Sequence, residues 1–261
     1  MTVMRSIQRD GLPSSVLGRA MAVLTAFHGE DGELGASELA RRTGLAKSTV
    51  HRLAGELADL GVLERRADAF VPGLRLFELG ELVPRKRDLR TSALPHMADL
   101  RAATRQTVHR AVLDGNEVVY LEILHSADAP SLPSRVGGRL PAHATGVGKA
   151  ILAASPPEVV DAVLRSGLRR LAERTITAPG LLHRELVAIR AIGIAYDHEE
   201  SRAGLVCAAS AVLGRDDTVL GALSVSGWAG RLNVRRMAPA VRTAALALSR
   251  SLATTCLPGK E

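Results

Sequence analysis

Four groups of residues carry side chains or backbone amides able to do chemistry. The first is Lys47-Ser48-Thr49-Val50-His51-Arg52, whose cations and hydroxyls suit phosphate oxygens and base edges. The second, Thr145-Gly146-Val147-Gly148-Lys149-Ala150, is a Gly-rich entry to a helix. Its amides and positive dipole end could hold a carboxylate, and a tight turn that needs glycines explains the pattern equally well. It is not a phosphate-binding P-loop. The required earlier glycine is Ala144 or His143, depending on the count, and Ala150 stands where Ser or Thr should follow the lysine. The third group is Asp197-His198-Glu199-Glu200 with Cys207 downstream, a density of donors able to ligate a metal. It lacks Cys-x-x-Cys or His-x-x-x-His spacing, and Cys207 in its apolar strand reads as a core thiol rather than a nucleophile. The fourth, Ser224-Val225-Ser226-Gly227, alternates like a strand with one serine face that could hydrogen-bond a small polar ligand. There is no Gly-x-Ser-x-Gly elbow, and neither a catalytic residue nor a cofactor is assigned.

The first group needs a scaffold, and the stretch from Ala36 to Leu53 supplies one. Ser37 reads as the N-cap of a short helix with Leu39 and Ala40 inward. Gly44 can take the positive φ that ends that helix. A second helix presents Val50, Leu53, Ala54, Leu57 and Leu60 at core-facing spacing. Small Ala40 at the crossing, Gly44 in the turn and Val50 as the lock meet the geometric needs of a helix-turn-helix. An ordinary αα-hairpin with a solvated face shares that spacing. With the stripe inward, Ser48, His51, Arg52 and Gly55 point out, and Lys47 lies at the helix's N-terminal end. A helix over 14–27, with Val16, Ala20, Val23, Leu24 and Phe27 on one face, precedes the pair, followed by a polar break at 29–32. Residues 62–73 read as a hairpin with a charged tip, which completes a winged helix-turn-helix. Arg65 and Arg66 fall near the wing, where phosphate contact and simple solubility are both open.

Beyond the wing, Leu76, Leu79, Gly80 and Val83 mark a connecting helix, and Pro84-Arg85-Lys86-Arg87 breaks it into a hinge. A helix over 92–104 with Leu94, Met97, Ala98 and Leu100 opens a second domain. Strands are predicted at 108–113 and 118–124 around Asp114-Gly115-Asn116, and at 194–197, 205–213 and 219–226, with a loop at 130–133. Ser155 reads as an N-cap with proline at N1 for a helix reaching Ser166. Further helices are predicted at 179–192, stopping at Gly193, and at 236–254. Hairpins mixed with helices argue for an α+β fold.

Composition narrows the function classes. Apolar residues make up 46% of the 261 residues and aromatics 2%, so aliphatic side chains must build the core and stacking platforms for single strands are lacking. Two distant cysteines, Cys207 and Cys256, do not make a disulfide framework and fit a reducing cytosol. Without an apolar leader or membrane-length run, the chain is expected to be soluble and cytoplasmic, with no membrane partner. The net charge of +7 is weak evidence for nucleic acid, because residues 1–90 hold 14 Lys and Arg against 12 Asp and Glu. Placement of Lys47, Arg52, Arg65 and Arg66 matters more.

Taken in order, these motifs resemble the IclR-type bacterial transcriptional regulators from about Ser15 to Leu252. The carrying residues are Lys47 to Leu53, Pro141 to Ala150, Thr175-Ile176-Thr177, Gly193 to Glu200 with Gly204 and Cys207, and Leu223 to Gly227. The resemblance implies a tail (1–13), a winged helix-turn-helix (14–73), a linker helix (74–91) and a GAF-like effector-binding domain with a mixed antiparallel sheet (92–261). It implies homodimers paired through their DNA-binding domains, often as dimers of dimers, on palindromic operator DNA. Small organic acids or aromatic-catabolism intermediates are the implied effectors. Candidate DNA contacts are Ser37, Lys47, Ser48, Thr49, His51, Arg52, Arg65 and Arg66. Carried over by position, the effector pocket uses Thr145, Gly146 and Val147 in the Gly-rich turn, then Asp197, Leu205 and Cys207, and finally Ser224 and Ser226. Gly146 departs from the family, which more often has alanine there, and a roomier or more mobile turn is expected. The resulting reading is a ligand-responsive DNA-binding repressor or activator, with its hinge near 82–90. A small-molecule enzyme and a zinc-sensing regulator built on Asp197, His198 and Cys207 are the alternatives.

Overall fold

The computed structural model describes residues 15–27, 32–126 and 134–254, with the backbone path alone for 84–91. The tail at 1–13, most of the break at 29–32, the loop at 130–133 and Cys256 lie outside the described residues. Described residues up to Arg87 form one compact unit, and those from Asp88 form another.

In the first unit, α1 (Val16–Thr25) is capped by Ser15, whose Oγ accepts from the Gly18 amide. The chain then enters β1 (Leu34–Gly35), a strand that the sequence pattern missed because it is only two residues long. β1 delivers Gly35 in extended conformation as the N-cap of α2 (Ala36–Thr43), so Ser37 lies inside the first turn and is not the cap. Gly44 ends α2 at φ +71, and its amide donates to the Ala40 carbonyl, as the turn required. α3 (Lys47–Asp59) buries Val50, Leu53, Ala54 and Leu57, whereas Leu60 falls at the C-cap and stays exposed. The wing is β2 (Leu63–Arg66) and β3 (Ala69–Pro72), and β3 also pairs with β1, giving a three-stranded antiparallel sheet. Val23, Leu39, Val50, Leu53 and Leu63 form its dry centre. Arg42 fastens α2 to α1 through the Ala26 carbonyl at 3.0 Å.

Past the wing the linker differs from the expected single helix over 74–91. It is α4 (Leu74–Glu81) and then α5 (Pro84–Thr104), which runs unbroken into the second unit. The break falls at Leu82–Val83, because Pro84 occupies a helix's first position, where its missing N–H is not needed.

The second unit is a six-stranded sheet with helices on both faces. Its strands are β4 (Thr107–Asp114), β5 (Glu117–Leu124), β6 (Arg139–Pro141), β7 (Ala195–His198), β8 (Leu205–Leu213) and β9 (Val219–Trp228). Their spatial order is β6-β5-β4-β9-β8-β7, and every neighbouring pair is antiparallel, so the sheet is purely antiparallel and not mixed. Two hairpins, β4–β5 and β8–β9, supply four of the strands, and antiparallel pairing needs only such short turns.

α6 (Gly146–Ala154), α7 (Pro157–Arg165) and α8 (Pro179–Ile192) contribute to the core on one face. α5 and α9 (Val234–Thr254) contribute to the other. Ser155 closes α6 by donating to the Ile151 carbonyl, and Pro156 is the N-cap of α7, which corrects the cap assignment. With both faces covered, β8 is apolar on both sides, and period-two alternation assigns each residue its layer. Val206 and Ala208 face α9, while Ala209 faces the α6 side.

Candidate functional site

Two groups of chemistry-bearing residues survive folding, one in each unit. On α3, Lys47, Ser48, His51 and Arg52 are exposed, Thr49 is half-buried, and Ser37 is exposed on the first turn of α2. Burial of the opposite face leaves the polar side of α3 free. Arg52 is engaged within the helix, donating to Glu56 Oε1 at 2.7 Å, an exposed pair of small energetic weight. Arg65 does not extend along the wing. Its guanidinium turns back on α3, 3.1 Å from both the Gly55 carbonyl and Asp59 Oδ1, so it braces the wing against the helix. Arg66 remains exposed beside the two-residue turn.

The second site is a small pocket between the sheet and the N-terminus of α6. Thr145 caps α6, its Oγ1 accepting from the Gly148 amide at 3.1 Å. The amides of Gly146 and Val147, at the first turn, have no carbonyl within the helix to bond, and the Gly146 amide instead donates to the Cys207 sulfur. All eight candidate effector residues line this pocket. Thr145, Gly146 and Val147 come from the helix entry, Asp197 from β7, Leu205 and Cys207 from β8, and Ser224 and Ser226 from β9. Antiparallel register explains the convergence: Asp197 lies opposite Cys207, and Cys207 opposite Ser226.

Five further lining residues escaped the sequence reading: His109, Tyr120, Ser134, Leu140 and Ser201. For His109 a signal existed, a histidine inside the apolar run Val108 to Leu113, but one strand's pattern does not say which face holds a ligand. His109 Nε2 lies 2.7 Å from Ser134 Oγ, Nδ1 lies 3.4 Å from Ser226 Oγ, and Tyr120 stands edge-on at 5.4 Å. Burial pulls its imidazole down to about 3, with His125 adding to the effect, so the ring is neutral. Burial pushes the Cys207 thiol up, aided by the nearby Asp197 carboxylate. That direction is opposite to the one an activated nucleophile requires.

The glycine of the turn does not create room. A β-carbon on Gly146 would stand well inside contact distance of Cys207 Sγ, so the thiol fills the space that an alanine methyl would take. The free space in the pocket is about 20 Å³, little more than one water molecule needs.

Behind the pocket the remaining motif residues serve as its frame. Lys149, fully buried, donates to Glu200 Oε1 at 2.6 Å and to Glu185 Oε1 at 3.1 Å. Burial pulls the Lys149 ammonium down, but the two carboxylates outweigh it and hold the group above its ordinary value. The Glu200 amide donates to Asp197 Oδ1 at 2.7 Å, and Ser201 Oγ donates to Asp197 Oδ2 at 2.6 Å. Thr175 Oγ1 donates to the Glu200 carbonyl at 2.7 Å. Burial pushes the Asp197 carboxyl up to about 6, against those hydrogen bonds.

The metal alternative fails on strand alternation. Asp197 and Cys207 face the pocket, whereas the next residue, His198, is exposed and stacks on Tyr196 with ring centroids 5.6 Å apart. Among the described residues no three His, Cys, Asp or Glu side chains are placed to hold an ion.

Known proteins agree with this division. The IclR helix-turn-helix domain model matches residues 16–67, and the model described as bacterial transcriptional regulator IclR C-terminal matches 82–250. The HTH-type transcriptional regulator XynR of Escherichia coli is 33% identical over 244 residues, covering 90% of this chain and 95% of that protein. The regulator KdgR of Dickeya chrysanthemi is 36% identical over 216 residues, covering 82% and 70%. Among solved structures, an IclR homolog from Microbacterium hydrocarbonoxydans complexed with 4-hydroxybenzoate matches with a TM-score of 0.81 at 33% identity, over 91% of this chain and 99% of that one. The Thermotoga maritima IclR matches with a TM-score of 0.74 at 28% identity, over 91% and 98%. A helix-turn-helix with an outward polar face, joined to a second unit that encloses a lined pocket, therefore belongs to the IclR family of ligand-responsive transcriptional regulators.

Proposed function

We propose that the chain acts as a homodimer on a palindromic operator and changes its DNA affinity when a small organic acid occupies the pocket beside α6. The observation that carries the effector half is the pocket itself. The first turn of α6 and the Ser224 and Ser226 hydroxyls line one site that has no lining lysine or arginine, and a single carboxylate suits it, taking the Gly146 amide over from the Cys207 sulfur. The relative bound to 4-hydroxybenzoate supports an acid of that class. Dimerisation is supported by apolar side chains left uncovered in the first unit, among them Leu17, Met21, Leu74 and Phe77. A chromosomal operator places this work in the cytoplasm. Whether binding represses or activates depends on the operator's position.

The exposed face of α3 reads the operator, with Lys47, Ser48, Thr49, His51 and Arg52 toward the groove and Ser37 and Arg66 toward phosphates. Arg52→Ala is expected to weaken binding to a mapped operator by about 1–3 kcal/mol if Arg52 contacts a base. Unchanged affinity in a fluorescence-anisotropy titration removes Arg52 from that role.

Effector binding is also expected to depend on pH. Asp197 at about 6 is ionised above that pH and opposes a carboxylate placed beside it. The charged groups facing it are Lys149 from α6 and Glu200 from the following turn, with the protonated Cys207 thiol on β8. Protonation removes the repulsion, so affinity rises as pH falls. Calorimetric titration of an identified acid from about pH 7.5 to about pH 5 is expected to show roughly tenfold tighter binding, and Asp197→Asn to flatten the profile. A wild-type profile already flat refutes the placement.

A further inference from the structure

We infer that His109 is a specificity-determining residue, and that the pocket selects a monocarboxylate carrying an uncharged hydroxyl at its far end, with the Ser134 hydroxyl occupying that group's place in the empty protein. The inference rests on the organic-acid reading above and extends it to the opposite end of the site.

The pocket floor crosses four strands, stepping two residues along between β9 and β4. Asp197 on β7 pairs with Cys207 on β8, Cys207 with Ser226 on β9, and His109 lies on the next strand, β4, opposite Ser224. The ends differ chemically. Gly146, at the α6 entry, sits against Cys207, with Asp197 beside it, so the helix amides serve the β7–β8 end. Beside His109 stand Ser134 and Tyr120, a β5 residue that also feels Cys207 and Asp197.

Among the described residues lining this end there is no lysine, arginine, aspartate or glutamate. His109 is held neutral by burial, and the following residue, Arg110, alternates onto the other side of the sheet. A second carboxylate placed there would lose its water without gaining a cation, a cost that excludes dicarboxylates. A neutral imidazole has one donor and one acceptor nitrogen, and a hydroxyl can serve either. The structure already shows such a partner: Ser134 Oγ lies at 2.7 Å from Nε2 and comes from the segment leading into β6. Because free space is about 20 Å³, a ligand gains this position by replacing the serine hydroxyl and not by filling a void.

Calorimetry on the full chain decides the matter with matched acids: 4-hydroxybenzoate against benzoate, 5-hydroxypentanoate against pentanoate, and terephthalate as the dicarboxylate. In at least one pair the hydroxy acid is expected to bind about tenfold more tightly than its partner, and terephthalate is expected not to bind. His109→Phe is expected to bring the ratio of hydroxy to deoxy acid within about twofold. Ser134→Ala leaves His109 in place but frees Nε2. It is expected to tighten the hydroxy acid several-fold and to raise the ratio of hydroxy to deoxy acid, which keeps the question decidable if His109→Phe does not fold. A ratio unmoved in both variants, equal binding of the paired acids, or tight terephthalate binding overturns the inference. If no acid binds while operator binding persists, the organic-acid reading falls first and this inference with it.

Discussion

Replacing Lys149 with methionine is expected to destabilise the second unit by about 3–5 kcal/mol, since it leaves a buried carboxylate without its cation. Lys149 is 1% exposed, and Glu200 presents only 6% of its side chain to solvent. Glu200 Oε2 has no hydrogen-bond partner even in the intact protein, so Lys149 is what makes its burial tolerable. Glu185, at 35% exposure, can turn to water and suffers less. The double variant Lys149→Met with Glu200→Gln removes both charges and is expected to recover most of the loss, because a neutral buried pair carries no uncompensated ion. Thermal unfolding followed by far-UV circular dichroism should show the single variant melting about 10 °C lower. Equal melting of the single and double variants would show that the ion pair is not what holds this corner. The pocket is expected to suffer together with the stability, because the Glu200 amide positions Asp197.

Gly148→Ala is expected to cost about 3 kcal/mol or more, for a steric reason. A β-carbon there would overlap the Ala142 carbonyl and Cα, backbone atoms that cannot swing aside as a side chain can. Ala142 is itself fully buried in the tight turn 142–144. His143 Nε2, 3.0 Å from the Arg169 carbonyl, anchors that turn. α6 would have to shift away, taking with it the amides of Gly146 and Val147. Gly180→Ala is the control, because nothing lies within 4 Å of its β-position at the start of α8. It is expected to be neutral or slightly stabilising. Urea denaturation midpoints for the two variants should therefore move apart, and similar midpoints would refute the close approach of α6 to this turn.

The glycine-rich motif shows how much of the site was legible. Its sequence left a ligand cradle and a tight turn as equal readings, and the structure contains features of both. Gly148 permits a backbone crossing, while Thr145 caps the helix and leaves Gly146 and Val147 facing the pocket. The expectation of extra room at Gly146 was wrong, because only the fold reveals that Cys207 stands where the methyl would be. Ser37 and Ser155 were misread as caps for a related reason. Each has the preferred residue type, but β1 and the end of α6 fix the backbone so that a neighbouring residue takes the cap position.

Local physics determined the elements of this protein. Helical stripes, Gly44 and Gly193 as left-handed stops, and turns at Gly115 and Gly214 mark most element positions, since each depends on residues a few positions apart. The outward polar face of α3 was legible for the same reason, being the complement of its buried stripe. What the tertiary structure alone decided is which strand faces meet. Asp197 and His198 are adjacent in sequence, yet alternation sends them to opposite sides of the sheet and dissolves the metal cluster. His109 and Ser226 lie far apart in sequence, and antiparallel register brings them within 3.4 Å. Lys149, which follows the glycine turn directly in sequence, is spent on a glutamate fifty-one residues away. Such pairings follow from register and long-range packing, which no window of local sequence contains.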